Sequence, residues 1–189
     1  MTNKTVHFIR HGEGVHNIAY YLYDTAAYFM EEYRDPELTE TGKDQAILAR
    51  YSKPELQLVD MVLVSPLMRT MQTADIIFKN HSNVHALSLI KEANYEHTCN
   101  QSKSTKDLRP LFPHINYKTI DIDVFDQLDN KQKDLQKCFP VLDQMLKQSE
   151  HKKIAIVSHH DFICEFMKFK LSKPVCLNNC EIYTIVDYQ

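Results

Sequence analysis

Glycine is scarce, with three residues in a chain of 189, and no Gly/Ser-rich stretch, internal repeat or low-complexity block interrupts the sequence. That excludes a flexible interdomain linker and any solenoid or array architecture. A surplus of charge is also lacking: 22 Lys+Arg stand against 25 Asp+Glu, for a formal net charge of -3. The broad basic field that nucleic-acid binders lay along a phosphate backbone is therefore missing, and any anion site must be local. No apolar run approaches the ~20 residues that a membrane span needs. The apolar stretch before Arg10 is too short for a signal peptide. No nucleic-acid or membrane partner is expected, and a cytoplasm-like compartment is. The five cysteines, Cys99, Cys138, Cys164, Cys176 and Cys180, are odd in number, and the expectation is five reduced thiols acting as small buried hydrophobes. Cys176 and Cys180 have no second Cys/His pair at ligand spacing, which argues against zinc.

What is present is 43% hydrophobic content, enough for one core, so a single domain over 1–189 is expected. Short apolar runs predict strands at 6–9, 61–64, 84–89, 154–157 and 182–186. Helical patterns fall at 17–33, 41–51, 66–79, 133–148 and 162–171. Alternation of the two predicts the α/β class. Near-continuous apolar strands such as Ile154-Ala155-Ile156-Val157 require helices on both faces of the sheet, hence a three-layer α/β/α sandwich with a mostly parallel sheet. Residues 91–121 break the rhythm, with Pro110 and Pro113 among polar residues. That segment reads as an excursion over an active site, the alternative being a disordered loop.

Three predicted strands run into unusual polar residues: Arg10-His11-Gly12-Glu13, Ser65-Pro66-Leu67-Met68-Arg69 and Ser158-His159-His160. Ligands of open α/β sheets bind beyond the carboxyl ends of parallel strands, so if these three are neighbours their tips meet in one crevice. A single histidine at a strand end is usually structural. Two arginines and two histidines together, with no obvious carboxylate to neutralise them, suit a tetrahedral dianion, because the guanidinium offers a fixed fork of donors and imidazole a nucleophile or a proton. Ser65 and Pro66 also read as the cap and first turn of a helix, which would add N–H groups beside Arg69.

These residues resemble the histidine phosphatase, or phosphoglycerate-mutase-like, superfamily. Arg10-His11-Gly12-Glu13 with Asn17 resembles its opening motif, and Leu38-Thr39 with Gly42, Gln45 and Ala46 resembles its second landmark. Ser65-Pro66-Leu67, Arg69-Thr70 and Gln72-Thr73-Ala74 resemble the third, Val157-Ser158-His159 the fourth, and Asn179-Cys180-Glu181 the start of the last strand. The resemblance implies that His11 takes the phosphoryl group, and that Arg10, Asn17, Arg69 and His159 bind its oxygens, His159 also counting as catalytic. It implies that Glu92 protonates the leaving oxygen and later activates water, with Glu96 the next candidate. No metal and no other cofactor is implied, since arginines and histidines replace the cation.

Two departures from the family pattern stand out: His160 where glycine usually follows the second histidine, and His16 where an aromatic often precedes the asparagine. His16, Tyr95, Lys103, Lys106, Arg109 and His160 are candidate substrate contacts. His160 could equally be tolerated by the backbone alone. The stretch from Glu92 through Cys99-Asn100-Gln101-Ser102 to Phe112-Pro113 also resembles a plant and fungal subgroup. Mutases of the family place paired arginines at a second anion subsite, and this chain has only scattered Lys103, Lys106 and Arg109. The reading is a phosphatase acting on a phosphorylated small molecule or phosphoprotein. Mutase-type transfer and an inactive phospho-ligand binder are the alternatives. Tyr20, Tyr21, Tyr23 and Tyr28 fit a core-facing and lid-facing helix or an aromatic interface, and leave oligomeric state open.

Overall fold

The computed structural model describes residues 4–118 and 135–189. Five strands form one sheet: β1 (Thr5–Arg10), β2 (Met61–Val64), β3 (Val84–Ala86), β4 (Lys153–Ser158) and β5 (Ile182–Ile185), in the order β3-β2-β4-β1-β5. All neighbours are parallel except β5, which runs antiparallel to β1 at the edge. The helices are α1 (Val15–Tyr23), α2 (Glu40–Ser52), α3 (Met68–Ile77), α4 (Thr105–Leu111), α5 (Leu135–Gln148) and α6 (His160–Leu171).

Side chains alternate across the strands and build two cores. Val6 and Phe8 of β1, Leu63 of β2 and Ile154 and Ile156 of β4 pack with Phe139 and Leu142 of α5 and Phe162 and Phe166 of α6. Ile9, Val62, Val64, Ala155 and Val157 point the other way, onto Ala46 and Ala49 of α2 and Met68, Met71 and Ile77 of α3. Two cores on two faces make the expected three layers, and explain why the central strands carry apolar residues at successive positions.

Several local expectations are corrected. The strand at 84–89 stops at Ala86, and a 3-10 turn, Ser88–Ile90, follows. The helix at 17–33 is α1 alone, because Asp24 turns to φ 52° and the chain continues as 3-10 turns, Asp24–Phe29 and Glu31–Tyr33. Only His16 and Ala19 of α1 are buried, and Tyr21 and Tyr23 face solvent. Ser65 and Pro66 do not start α3. Leu67 precedes its first residue without a side-chain cap, and the donor at Met68 N is taken by Asp35 Oδ1 from 33 residues away (2.7 Å). The expectation of five free thiols also fails: Cys164 on α6 is joined to Cys176, because Ser172 ends α6 in the left-handed region and the chain folds back beside it. Cys99, Cys138 and Cys180 are free and buried as expected. Residues 133–134 of the helix predicted at 133–148 and 119–121 of the excursion lie outside the described residues.

Asp35 organises the site from a distance. Its second oxygen accepts Lys103 N (2.9 Å), so one buried carboxylate joins the start of α3, which carries Arg69, to the segment 91–118. Asp35→Asn tolerates the backbone (φ 42°) but turns one acceptor into an NH2 facing an N–H. Denaturant unfolding is expected to show a loss of about 1–3 kcal/mol, with unchanged stability the contrary result.

Candidate active site

The carboxyl ends of β1, β2 and β4 are adjacent, Arg10 pairing with Ser158 and Val64 with Val157. His11 follows directly. Its N–H donates to Ser158 O (3.0 Å), and its carbonyl accepts Asn179 Nδ2 (3.0 Å) and Cys180 N (3.3 Å). The last sequence landmark therefore clamps the His11 backbone. The second and third clamp the loop behind it: Gln45 Oε1 accepts Glu13 N, Thr73 Oγ1 accepts Gly12 N, and Gln72 Oε1 accepts Leu38 N. Two of the three glycines meet here. A Cβ on Gly12 would lie 2.4 Å from Gly42 O, and one on Gly42 2.1 Å from Glu13 O, so α2 can close on this loop only without side chains at either position.

The His11 tautomer follows from its partners. Nδ1 lies 2.6 Å from the Gly12 carbonyl oxygen and must donate, whereas Nε2 receives Arg69 Nε–H at 3.2 Å and must carry a lone pair. Burial foremost, then the charges of Arg69, His16 and Arg10, hold its pKa well below the usual 6.5, against a smaller upward pull from the Gly12 carbonyl. The ring is neutral, with Nε2 available as a nucleophile.

Arg69 is buried (1% exposed), and its other donors reach Cys99 O (2.9 Å) and Asn100 Oδ1 (2.8 Å), both neutral. Arg10 donates to Leu177 O (2.9 Å) and approaches His160 Nδ1 (3.3 Å), while its buried Nε has no partner. Among the described residues neither guanidinium is ion-paired with a carboxylate. Glu92 is also buried. Its Oε1 accepts Ala93 N and Phe162 N (both 2.9 Å) and its Oε2 accepts Asp161 N (3.3 Å), at the N-terminus of α6. Burial first, then the charge of Asp161, raises its pKa from the ordinary 4.5, partly offset by those N–H groups and Arg69.

A cavity of about 180 Å³ joins Arg10, His11, Asn17, Arg69, Glu92 and His160. His16 lines it too, kept neutral by burial and then by the two arginines, its Nε2 3.3 Å from Asn17 Nδ2. Asn17 Oδ1 accepts Gly14 N (2.9 Å), and of its NH2 group the hydrogen not directed at His16 Nε2 is left for a ligand. His159 stands behind the wall, fully buried, its ring 5.2 Å from that of His11 and its Nε2 2.7 Å from Ser65 Oγ. Tyr95, Lys103, Lys106 and Arg109 do not line the cavity. Lys103, Lys106 and Arg109 face solvent, Arg109 lying over the Tyr117 ring, and Tyr95 faces Lys91. Sequence reasoning missed Tyr28, His97 and Asp161, which do line it. Asp161 sits one residue beyond a motif. Tyr28 and His97 stack at 5.1 Å across 69 residues, a pairing without local signature. Among the described residues no three His, Cys, Asp or Glu side chains are grouped to hold a metal ion.

Comparison with known proteins identifies the family and supports the fold. The chain is 29% identical to a phosphoglycerate mutase-like protein of Arabidopsis thaliana, over 97% of this chain and 84% of that one. Its fold matches the phosphoserine phosphatase of Entamoeba histolytica solved with 3-phosphoglyceric acid (TM-score 0.61, 22% identity, 95% and 89% of the two chains). It also matches a mycobacterial glucosyl-3-phosphoglycerate phosphatase (TM-score 0.59, 15% identity, 96% and 92%). The sequence profile of one family runs through every strand of the sheet, from residue 6 to residue 186, and by that match the chain belongs to the histidine phosphatase superfamily, branch 1.

Proposed function

We propose that the chain, acting as one domain, is a phosphatase that hydrolyses a phosphomonoester through a phosphohistidine on His11. The observation that carries this reading is the His11 ring, with Nδ1–H bound to Gly12 O and its Nε2 lone pair under Arg69. A phosphoryl group seated there takes Arg69 Nε from His11 and receives Arg10 and Asn17 as further donors. Nε2 attacks phosphorus in line, the P–O bond to the alcohol breaks, and the departing oxygen takes the proton of Glu92. The Glu92 carboxylate then accepts a proton from water as water attacks the phosphohistidine, releasing inorganic phosphate and restoring the acid. The arginines stabilise charge spread over the phosphoryl oxygens, the more so because, among the described residues, neither is ion-paired with a carboxylate. His159 acts through position, its ring edge against His11.

Hydrolysis is favoured over mutase transfer because, among the described residues, no lysine or arginine beyond Arg10 and Arg69 lines the cavity to hold a second anion. Phosphatases among the structural neighbours support the same choice. A phosphorylated small molecule is the substrate we favour.

His11→Ala is expected to abolish phosphoenzyme formation. Glu92→Gln keeps anion binding and loses about 10²- to 10⁴-fold on an alkyl phosphate, but far less on p-nitrophenyl phosphate, whose phenolate needs little protonation. Equal losses on both esters would assign Glu92 a structural role. Turnover should be indifferent to EDTA; abolition by chelator with rescue by a divalent cation would disprove the pocket chemistry. For pH, the neutral His11 needed for attack persists below pH 6.5, because its pKa is lowered, and the acid form of Glu92 persists above pH 4.5, because its pKa is raised. The kcat profile on an alkyl phosphate should therefore rise through a limb below 6.5 and fall through one above 4.5. Glu92→Gln should remove the falling limb, and its persistence would exclude Glu92 as the acid.

A further inference from the structure

Apart from histidines, the charge-bearing side chains that line the cavity among the described residues are Arg10, Arg69, Glu92 and Asp161. His11, His16 and His97 are each pushed toward the neutral form, by burial foremost. In the reaction proposed above, the two arginines are committed to the phosphoryl oxygens and Glu92 to the proton. What is left to meet the alcohol half of the ester is Asp161, half-buried at the start of α6. One of its oxygens accepts Asn94 Nδ2 (3.2 Å). Among the described residues no lysine or arginine forms an ion pair with it. None of Lys91, Lys103, Lys106, Arg109 and Lys118, the cations of the segment 91–118, lines the cavity.

We infer that the site selects phosphomonoesters of short amino alcohols, with Asp161 as the counter-ion of the ammonium group, and rejects esters whose leaving group carries a carboxylate or a second phosphate. An anionic leaving group would face Asp161 with no cation to receive it, whereas an ammonium group gains a charge-assisted hydrogen bond. The cavity, about 180 Å³, is smaller than the ~300–1,000 Å³ of sites for drug-sized ligands, which suits a leaving group of a few heavy atoms. The stacked Tyr28 and His97 rings wall the space beside it. This inference rests on the phosphatase reading and adds the substrate class to it.

The test compares kcat/KM of the purified 189-residue chain on phosphoethanolamine, glycerol phosphate and phosphoglycerate, with p-nitrophenyl phosphate as reference. Phosphoethanolamine should exceed glycerol phosphate by about tenfold, and phosphoglycerate should be the poorest. Asp161→Asn should bring the phosphoethanolamine to glycerol phosphate ratio close to one, and Asp161→Glu should restore part of it. The ratio is the readout because Asp161 also donates its N–H to Glu92, and a general loss of activity cancels between the two esters. Turnover of p-nitrophenyl phosphate with no preference for phosphoethanolamine, or a ratio unmoved by Asp161→Asn, overturns the selectivity and leaves the phosphatase reading standing. Turnover of none of the four esters overturns both.

Discussion

A guanidinium buried among neutral acceptors is the constraint on which this site depends. Burying a cation is costly unless its donors are satisfied, and a carboxylate partner is the usual remedy. Among the described residues Arg69 has none; its hydrogen bonds go to the Cys99 carbonyl, the Asn100 side chain and the His11 lone pair. The arrangement holds a positive charge in a dry place without cancelling it. It also dictates the state of His11, because a ring nitrogen that accepts from an arginine cannot hold a proton, so Nδ1 carries it and the Gly12 carbonyl receives it. Two acceptors of Arg69 come from the segment after the third strand, so that segment is a structural part of the pocket even though it lacks periodic pattern.

The surrounding frame keeps that charge in register with the strand tips. Asp35 ties the first turn of α3 to Lys103, while Gly12 and Gly42 let two backbones approach more closely than any side chain would allow. On the other flank, Arg10 is oriented by the Leu177 carbonyl. Leu177 follows Cys176, and the bond from Cys176 to Cys164 fastens this turn to α6. Glu92 docks on the first N–H groups of the same helix, so α6 positions both the proposed acid and, through the turn, one of the two arginines proposed to bind phosphate.

The departures from the family pattern fit this frame. His16 is buried, neutral and beside Asn17, a donor-acceptor surface in place of an apolar ring. His160 reaches Leu177 O and Arg10, so a side chain at that position does more than fit the backbone: it shares the carbonyl that orients a guanidinium.

Much of this could be read from the chain alone, for a local reason. Strands buried on both faces must be apolar at successive residues, as Ile154-Ala155-Ile156-Val157 is, and residues at their ends are free to be polar, which exposed Arg10-His11, Arg69 and Ser158-His159 as a set. The order of the landmarks was enough to expect the α/β layers and the anion pocket. What no local pattern could carry was pairing between distant segments. Asp35 rather than Ser65 caps α3, Cys164 meets Cys176, Tyr28 stacks on His97, and Lys103, Lys106 and Arg109 turn away from a cavity they were expected to line. Each of these depends on where a turn or an irregular loop comes to rest against another element, and such contacts are set by packing and by the need of buried polar groups for partners. The sequence by itself determined the layers and marked the candidate phosphate-binding side chains; only the tertiary structure decided which tautomer, which cap and which charge face the cavity, because those follow from through-space neighbours.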